Sequence, residues 1–179
     1  AKTVQIDRDP TRIGLRHAVE VGLTGDCRAV LGALLPLLQK KKDRGFLKES
    51  QKRMEKWNAL MKVRGTRTDK PMKPQVVTWT LNKLLNDDAI VSSDSGTIAT
   101  WSARHIEIRD RMMFSLSGSL ATMANGLPYS IGAAVAYPGR QVVCIVGDGG
   151  LTMLMGEMAT LVKYQLPVKV IAIKNNVLV

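Results

Sequence analysis

Two short apolar runs separated by about one helix length constrain this chain more than any other feature. Val142 to Val146 is unbroken, rich in β-branched residues and closed by glycines. That pattern suits a strand buried on both faces of a parallel sheet. Met153, Met155, Met158, Leu161 and Val162 follow at mixed three- and four-residue spacings and predict a helix from about Gly150. Gln165-Leu166-Pro167 ends that pattern before a second apolar run, Val168 to Ile173. Two parallel strands joined in this way require a crossover, which is right-handed in nearly all sheets.

Both runs end in polar groups at the edge where open α/β sheets bind ligands. The first ends in Gly147-Asp148-Gly149 and the second in Asn175-Asn176. A hard divalent ion such as Mg²⁺ takes oxygen ligands, often one or two from protein and the rest from phosphate and water. One carboxylate, one amide oxygen and a diphosphate fit that description. Glycines allow close backbone approach, and the first turn of the helix offers unpaired N–H groups.

Gly-Asp-Gly, then the twenty-five residues Gly150 to Lys174, then Asn-Asn, resembles the thiamine diphosphate fingerprint shared by pyruvate oxidases, acetolactate synthases and pyruvate decarboxylases. A tight turn would explain a lone Gly-Asp-Gly, but strand, spacing and asparagines together favour the functional reading. The resemblance implies that thiamine diphosphate and Mg²⁺ bind here, with Gly147, Asp148, Gly149 and Gly150 at the diphosphate. It assigns the metal to Asp148, Asn175 and the Val177 backbone carbonyl, with Leu178 beside the cofactor. Asn175 lies eight residues after Pro167, as the metal-binding asparagine does in pyruvate oxidase-like relatives; Asn176 is the alternative register.

The 179 residues are 45% hydrophobic and 23% charged, ordinary for a globular chain with one core. No run is long enough to span a bilayer, which leaves contact with a membrane surface open, and the first residues are not a signal peptide. Cys27 and Cys144 have no ligand or redox spacing, so a reducing cytoplasm is expected. The net charge of +11 is concentrated between Lys40 and Lys73. Such a segment can mark a nucleic-acid footprint. No base-stacking aromatic pattern interleaves with it, and Leu47, Met54, Trp57, Leu60 and Met61 form a helical stripe, so a solvated connector is expected and no nucleic-acid partner.

Earlier in the chain, Thr3 to Ile6 and Val19 to Leu23 predict strands, Gly25-Asp26 a turn, and Ala29 to Leu38 a helix. Ile6-Asp7-Arg8-Asp9-Pro10-Thr11-Arg12-Ile13-Gly14, succeeded by Gly25-Asp26 and a leucine-rich helix, resembles the end of the Rossmann-like middle domain in the same enzymes. In flavin-containing members the first aspartate of that motif, here Asp7, lies at the adenosine end of FAD; a turn residue at a strand end is the alternative. Pro71 and Pro74 mark a boundary. The expected organisation is therefore 1–38 as the end of a middle domain, 39–73 as a basic helical connector, and 74–179 as an α/β thiamine diphosphate-binding domain with a parallel sheet flanked by helices.

Within that domain, Gln75 to Asn86 predicts a helix with Val76, Val77, Thr80, Leu81, Leu84 and Leu85 inward. Ala89 to Val91 predicts a strand that ends in Asp94-Ser95-Gly96-Thr97. Ser95 or Thr97 could cap the next helix. Relatives carry Asp-x-Gly and a small polar residue here, close to the cofactor, which implies a role for Ser95, Gly96 and Thr97. Phe114 to Ser117 predicts a strand and Tyr129 to Tyr137 a helix. Between them, Ala121, Thr122 and Met123 match the segment that lines the aminopyrimidine in the family. Met123 takes the place of the residue that holds the cofactor bent; a core methionine is the alternative. The first of these positions is often glycine in relatives and is alanine here.

The resemblance implies decarboxylation of a small 2-oxo acid such as pyruvate, and the wording around Gly147 is most like pyruvate oxidase or quinone-dependent pyruvate dehydrogenase. An acetolactate synthase-like carboligase is the alternative, and a non-catalytic cofactor-binding module a third reading. The glutamate that activates the cofactor in this family belongs to an amino-terminal domain, usually of a neighbouring subunit in a homodimer or homotetramer. No motif in this chain supplies it.

Overall fold

Near its start the chain alternates extended segments with tight aspartate-led turns. In the computed structural model, which describes residues 2–175, Val4–Asp7 (β1) pairs in parallel with Val21–Thr24 (β2), with Val4 opposite Val21 and Asp7 opposite Thr24. The following helix, Cys27–Leu34 (α1), begins two residues earlier than its apolar pattern suggests. The cause is Asp26, whose carboxylate accepts the N–H groups of Arg28 and Ala29 as an N-cap. Leu35–Leu37 tightens into a 3-10 turn over Pro36. No described residue before position 52 is fully buried, because two strands and one helix cannot enclose a core.

The basic segment contains a 21-residue helix, Gly45–Gly65 (α2). The chain divides into two units, Ala1–Gln51 and Lys52–Val179, at a point inside this helix. Of the anticipated stripe only Met61 is buried, whereas Leu47, Met54, Trp57 and Leu60 are exposed.

In the second unit, Pro74–Asn82 (α3) precedes Ile90–Ser93 (β3), and Thr97–His105 (α4) leads to Met113–Ser115 (β4). Gly126–Ala136 (α5) precedes Val142–Gly147 (β5). Asp148–Met153 (α6) and Met158–Lys163 (α7) then lead to Val168–Ile173 (β6). The four strands form one parallel sheet in the order β4-β3-β5-β6. This is the α/β architecture expected, a parallel sheet flanked by helices.

Strand alternation divides the core into two layers. Val143 and Ile145 of β5 pack with Leu81, Leu85, Ile98 and Ile106 from α3, α4 and their flanks. Val142, Cys144 and Val146 face the opposite way, toward Leu127 and Ala134 of α5 and Leu161 of α7. On the edge of the sheet away from the polar strand ends, Arg140 donates to the Asp88 and Arg111 carbonyls, and Gln141 Oε1 accepts the Asn86 N–H at 2.8 Å.

Two helical expectations need correction. Helix α3 ends at Asn82, and its buried positions are Thr78 and Leu81, with Leu85 just beyond the helix. Thr80 and Leu84 are exposed; with Val76, Val77, Met72 and Ile171 they line an outward apolar groove. The segment after β5 is not one helix: α6 stops at Met153, and a 3-10 turn at Met155–Glu157 intervenes before α7. Of its apolar residues Leu161 alone is buried, while Met153, Met155, Met158 and Val162 are exposed. Methionine spacing imitated helical periodicity where the helix axis changes.

Candidate functional site

Parallel pairing brings the polar ends of β3, β5 and β6 to one edge. Gly147 lies opposite Ile173 in the ladder, so Asp148 and Asn175, one and two residues further on, emerge side by side. Ser93 lies opposite Ile145, which places the turn after β3 on the other flank of Gly147. A cleft at this edge is lined by Ser95, Thr97, Met123, Gly147, Asp148, Gly149, Gly150 and Asn175, together with Asp94, Pro74, Ile98, Trp101 and Ile173. Predicted positions from four separate segments thus meet at one cavity.

The local backbone explains several residue choices. Gly96 N-caps α4 with φ 99° and ψ −156°, a region open essentially to glycine. Neither Ser95 nor Thr97 caps this helix through its side chain. Ala121 has φ 51° and Ala124 φ 65°, both left-handed. Glycine would sit at position 121 without strain, whereas alanine is held there in a left-handed conformation. The bend is held by the Ala121 N–H donating to the Ser117 carbonyl at 3.0 Å and the Thr122 N–H to Ser117 Oγ at 3.1 Å. Ala121 and Thr122 are exposed beside the cleft rather than among its lining residues, whereas Met123 lines it at 38% exposure. A core methionine is therefore not what Met123 is.

Asp94 is the residue that sequence reasoning passed over. It is 1% exposed, and its Oδ1 accepts the N–H groups of Ser95 at 3.0 Å and Asn125 at 3.1 Å. Burial raises the pKa of the Asp94 carboxyl, while the N–H groups of Ser95, Asn125, Gly126 and Ala124 oppose that rise. A Cβ at Gly150 would lie 1.7 Å from Asp94 Oδ2, so the glycine is what admits the carboxylate. The signal was the aspartate of Asp-x-Gly at the end of β3, but its burial depends on loops far away in sequence.

The residues present suit a diphosphate held through a hard metal ion. The carboxylate of Asp148 and the amide of Asn175 are oxygen donors from adjacent strand ends. Among the described residues no group of three or more His, Cys, Asp or Glu side chains could hold a metal. Gly147 N-caps α6 with no side-chain hydrogen bond and has nothing within 4 Å of where a Cβ would stand, leaving the turn open to a ligand. Val177, Leu178 and the alternative Asn176 lie outside the described residues.

Residues 94–179 match the family model described as thiamine pyrophosphate enzyme, C-terminal TPP binding domain. The chain belongs to the thiamine diphosphate enzyme family. It is 38% identical over 173 residues to YdaP of Bacillus subtilis (strain 168), a protein described as thiamine pyrophosphate-containing, covering 97% of this chain and 30% of that one. It is 34% identical over 181 residues to the acetolactate synthase isozyme 3 large subunit of Escherichia coli (strain K12), covering 99% and 32%. It is 32% identical over 165 residues to the pyruvate oxidase of Lactiplantibacillus plantarum, covering 92% and 27%. The chain thus spans about 30% of the length of such relatives. Among the described residues no helix is long and apolar enough to cross a membrane.

Asp7 belongs to the other unit. It ends β1, is partly exposed, and its Oδ1 accepts the Asp9 N–H at 3.1 Å, the job of a strand-end turn residue. It also lines a groove with Thr3, Gln5, Arg12 and His17.

Proposed function

We propose that this chain is part of a thiamine diphosphate- and Mg²⁺-dependent enzyme that decarboxylates a 2-oxo acid such as pyruvate and passes the electrons to FAD and then to quinone or oxygen. The observation that carries this reading is the meeting of the Gly147–Gly150 turn, Asn175, Ser95, Thr97 and Met123 around one cleft. Family membership supports the cofactor. The likeness to a pyruvate oxidase supports the substrate class.

In this reading Asp148 and Asn175 hold Mg²⁺, with the Val177 carbonyl as the third protein ligand. Gly147 leaves open space beside the diphosphate, Gly149 and Gly150 offer it their backbone, and Ser95, Gly96 and Thr97 close its far side. Ala121, Thr122 and Met123 support the aminopyrimidine. When bound, thiamine diphosphate supplies the electron sink that loss of carbon dioxide requires. The side chains here place, desolvate and orient that group; the activating glutamate comes from an amino-terminal domain, of a neighbouring subunit in a homodimer or homotetramer. Asp7 contributes to FAD binding. A cytoplasmic location and the three-part division at 38/39 and 73/74 go with this reading.

The match to an acetolactate synthase at comparable identity supports a second reading, in which the same decarboxylation ends in addition to another carbonyl. Thiamine diphosphate titrated into the complete protein with and without Mg²⁺ tests the shared part: binding is expected only with the metal and is lost in Asp148→Ala and Asn175→Ala. Metal-independent binding, or none, would overturn the assignment. Product analysis with pyruvate, acetate against acetolactate, separates the two readings.

A further inference from the structure

The cleft is lined by segments that are not neighbours in sequence, and one buried side chain joins three of them. Asp94 ends β3 and turns its carboxylate inward, where Oδ1 accepts the Ser95 and Asn125 N–H groups. Asn125 completes the contact by donating from Nδ2 to the Ser93 carbonyl at 3.2 Å, and Ser95 Oγ donates to Asn125 Oδ1 at 3.4 Å. On its other side Asp94 Oδ2 lies directly against the backbone of Gly150. A carboxylate at 1% exposure with backbone donors on one side and a glycine on the other is an expensive feature to bury.

We propose that Asp94 is a positioning residue that clamps the 121–126 loop to the Gly147–Gly150 turn and so sets the distance between Met123 and the diphosphate end of the cleft. The inference rests on the reading under Proposed function. Its force is geometric. The strained alanines at 121 and 124 bracket Met123, and left-handed alanine costs enough that the loop needs an external hold. Asp94 grips the loop immediately after the second of them. Removing that grip leaves the diphosphate turn intact, because Gly147–Gly150 is anchored by β5, but frees Met123 to move relative to it.

The test compares two ligands in the complete protein. Thiamine diphosphate with Mg²⁺ needs both loops in register; inorganic pyrophosphate with Mg²⁺ needs only the turn. Asp94→Asn keeps the shape and one acceptor oxygen but replaces the other oxygen with an N–H₂ donor and removes the charge that strengthens the hydrogen bonds from the loop. It is expected to weaken thiamine diphosphate binding by about tenfold or more, a change of the size that a lost charged hydrogen bond brings, and pyrophosphate binding by less than about threefold. Asn125→Ala keeps the carboxylate and its backbone donors but removes the Ser93 tie, and keeps the question answerable should Asp94→Asn fail to fold. It is expected to show the same selectivity with a smaller loss. Equal loss of both ligands, or a lowered unfolding temperature with both affinities unchanged, would overturn the clamp. Failure of wild-type protein to bind thiamine diphosphate would overturn the functional reading and the clamp with it. Wild-type binding left unchanged by both variants would overturn the clamp alone.

Discussion

Gly150→Ala is the sharpest steric perturbation available at the site. The added methyl would stand 1.7 Å from Asp94 Oδ2 and 2.9 Å from Asp94 Cγ, where real Cβ contacts do not occur. The obstructing atoms belong to a short side chain that is buried and hydrogen-bonded, so they cannot swing into solvent. Overpacking a buried site costs about 1–3 kcal/mol, and a displaced carboxylate gives up at least one charged hydrogen bond worth about 1.5–3 kcal/mol. A total of roughly 3–5 kcal/mol is a large share of the ~5–15 kcal/mol that holds an ordinary domain together. For a unit of this size it corresponds to a fall in Tm of about 6–20 °C.

Thermal and denaturant unfolding of the variant beside wild type measure this cost. Gly147→Ala is the control three residues away: nothing lies within 4 Å of its Cβ position and its φ is −80°, so the cost there is expected to stay below about 1 kcal/mol. Adding Asp94→Ser to Gly150→Ala removes the obstructing oxygens, and the double variant is expected to lose less than the sum of the singles. A Gly150→Ala protein within about 0.5 kcal/mol of wild type, or strict additivity in the double variant, would refute the steric argument.

Two further predictions concern titrating groups. His105 is 4% exposed, and burial, followed by the Arg104 and Arg64 charges, lowers its pKa from 6.5. Between that lowered value and 6.5 the unfolded chain holds one more proton than the folded one, so stability falls as pH drops below 6.5 and levels off beneath the folded pKa. His105→Leu is expected to flatten that window in the difference between the two unfolding curves; an unchanged slope would show that another group causes it. Cys144 is fully buried, and burial pushes its thiol up to about 11, whereas Cys27 is exposed. At pH 8 iodoacetamide is expected to modify Cys27 in native protein and Cys144 only after unfolding, as read by peptide mass spectrometry; comparable native labelling of both would contradict the burial.

The strand, helix, strand order and the fingerprint after it were legible because both are local. β5 is uniformly apolar because both its faces are covered, and Gly147, Asp148 and Asn175 follow directly on strand ends. Less legible were the positions whose environment is set by distant chain. Val76, Val77, Thr80 and Leu84 have helical apolar spacing, yet they line an outward groove, since spacing reports a face and not what covers it. The methionines after Gly150 were read as one helix for the same reason.

By itself the sequence determined the parallel α/β class and the residue types at the cleft, because periodicity, glycine placement and polar strand ends are encoded in near neighbours. Which of those residues face one another was decided by the tertiary structure alone. Asp94 is a turn aspartate in sequence; it becomes the buried junction of three loops only when strand pairing brings residues 94, 125 and 150 together, and no local signal measures that distance.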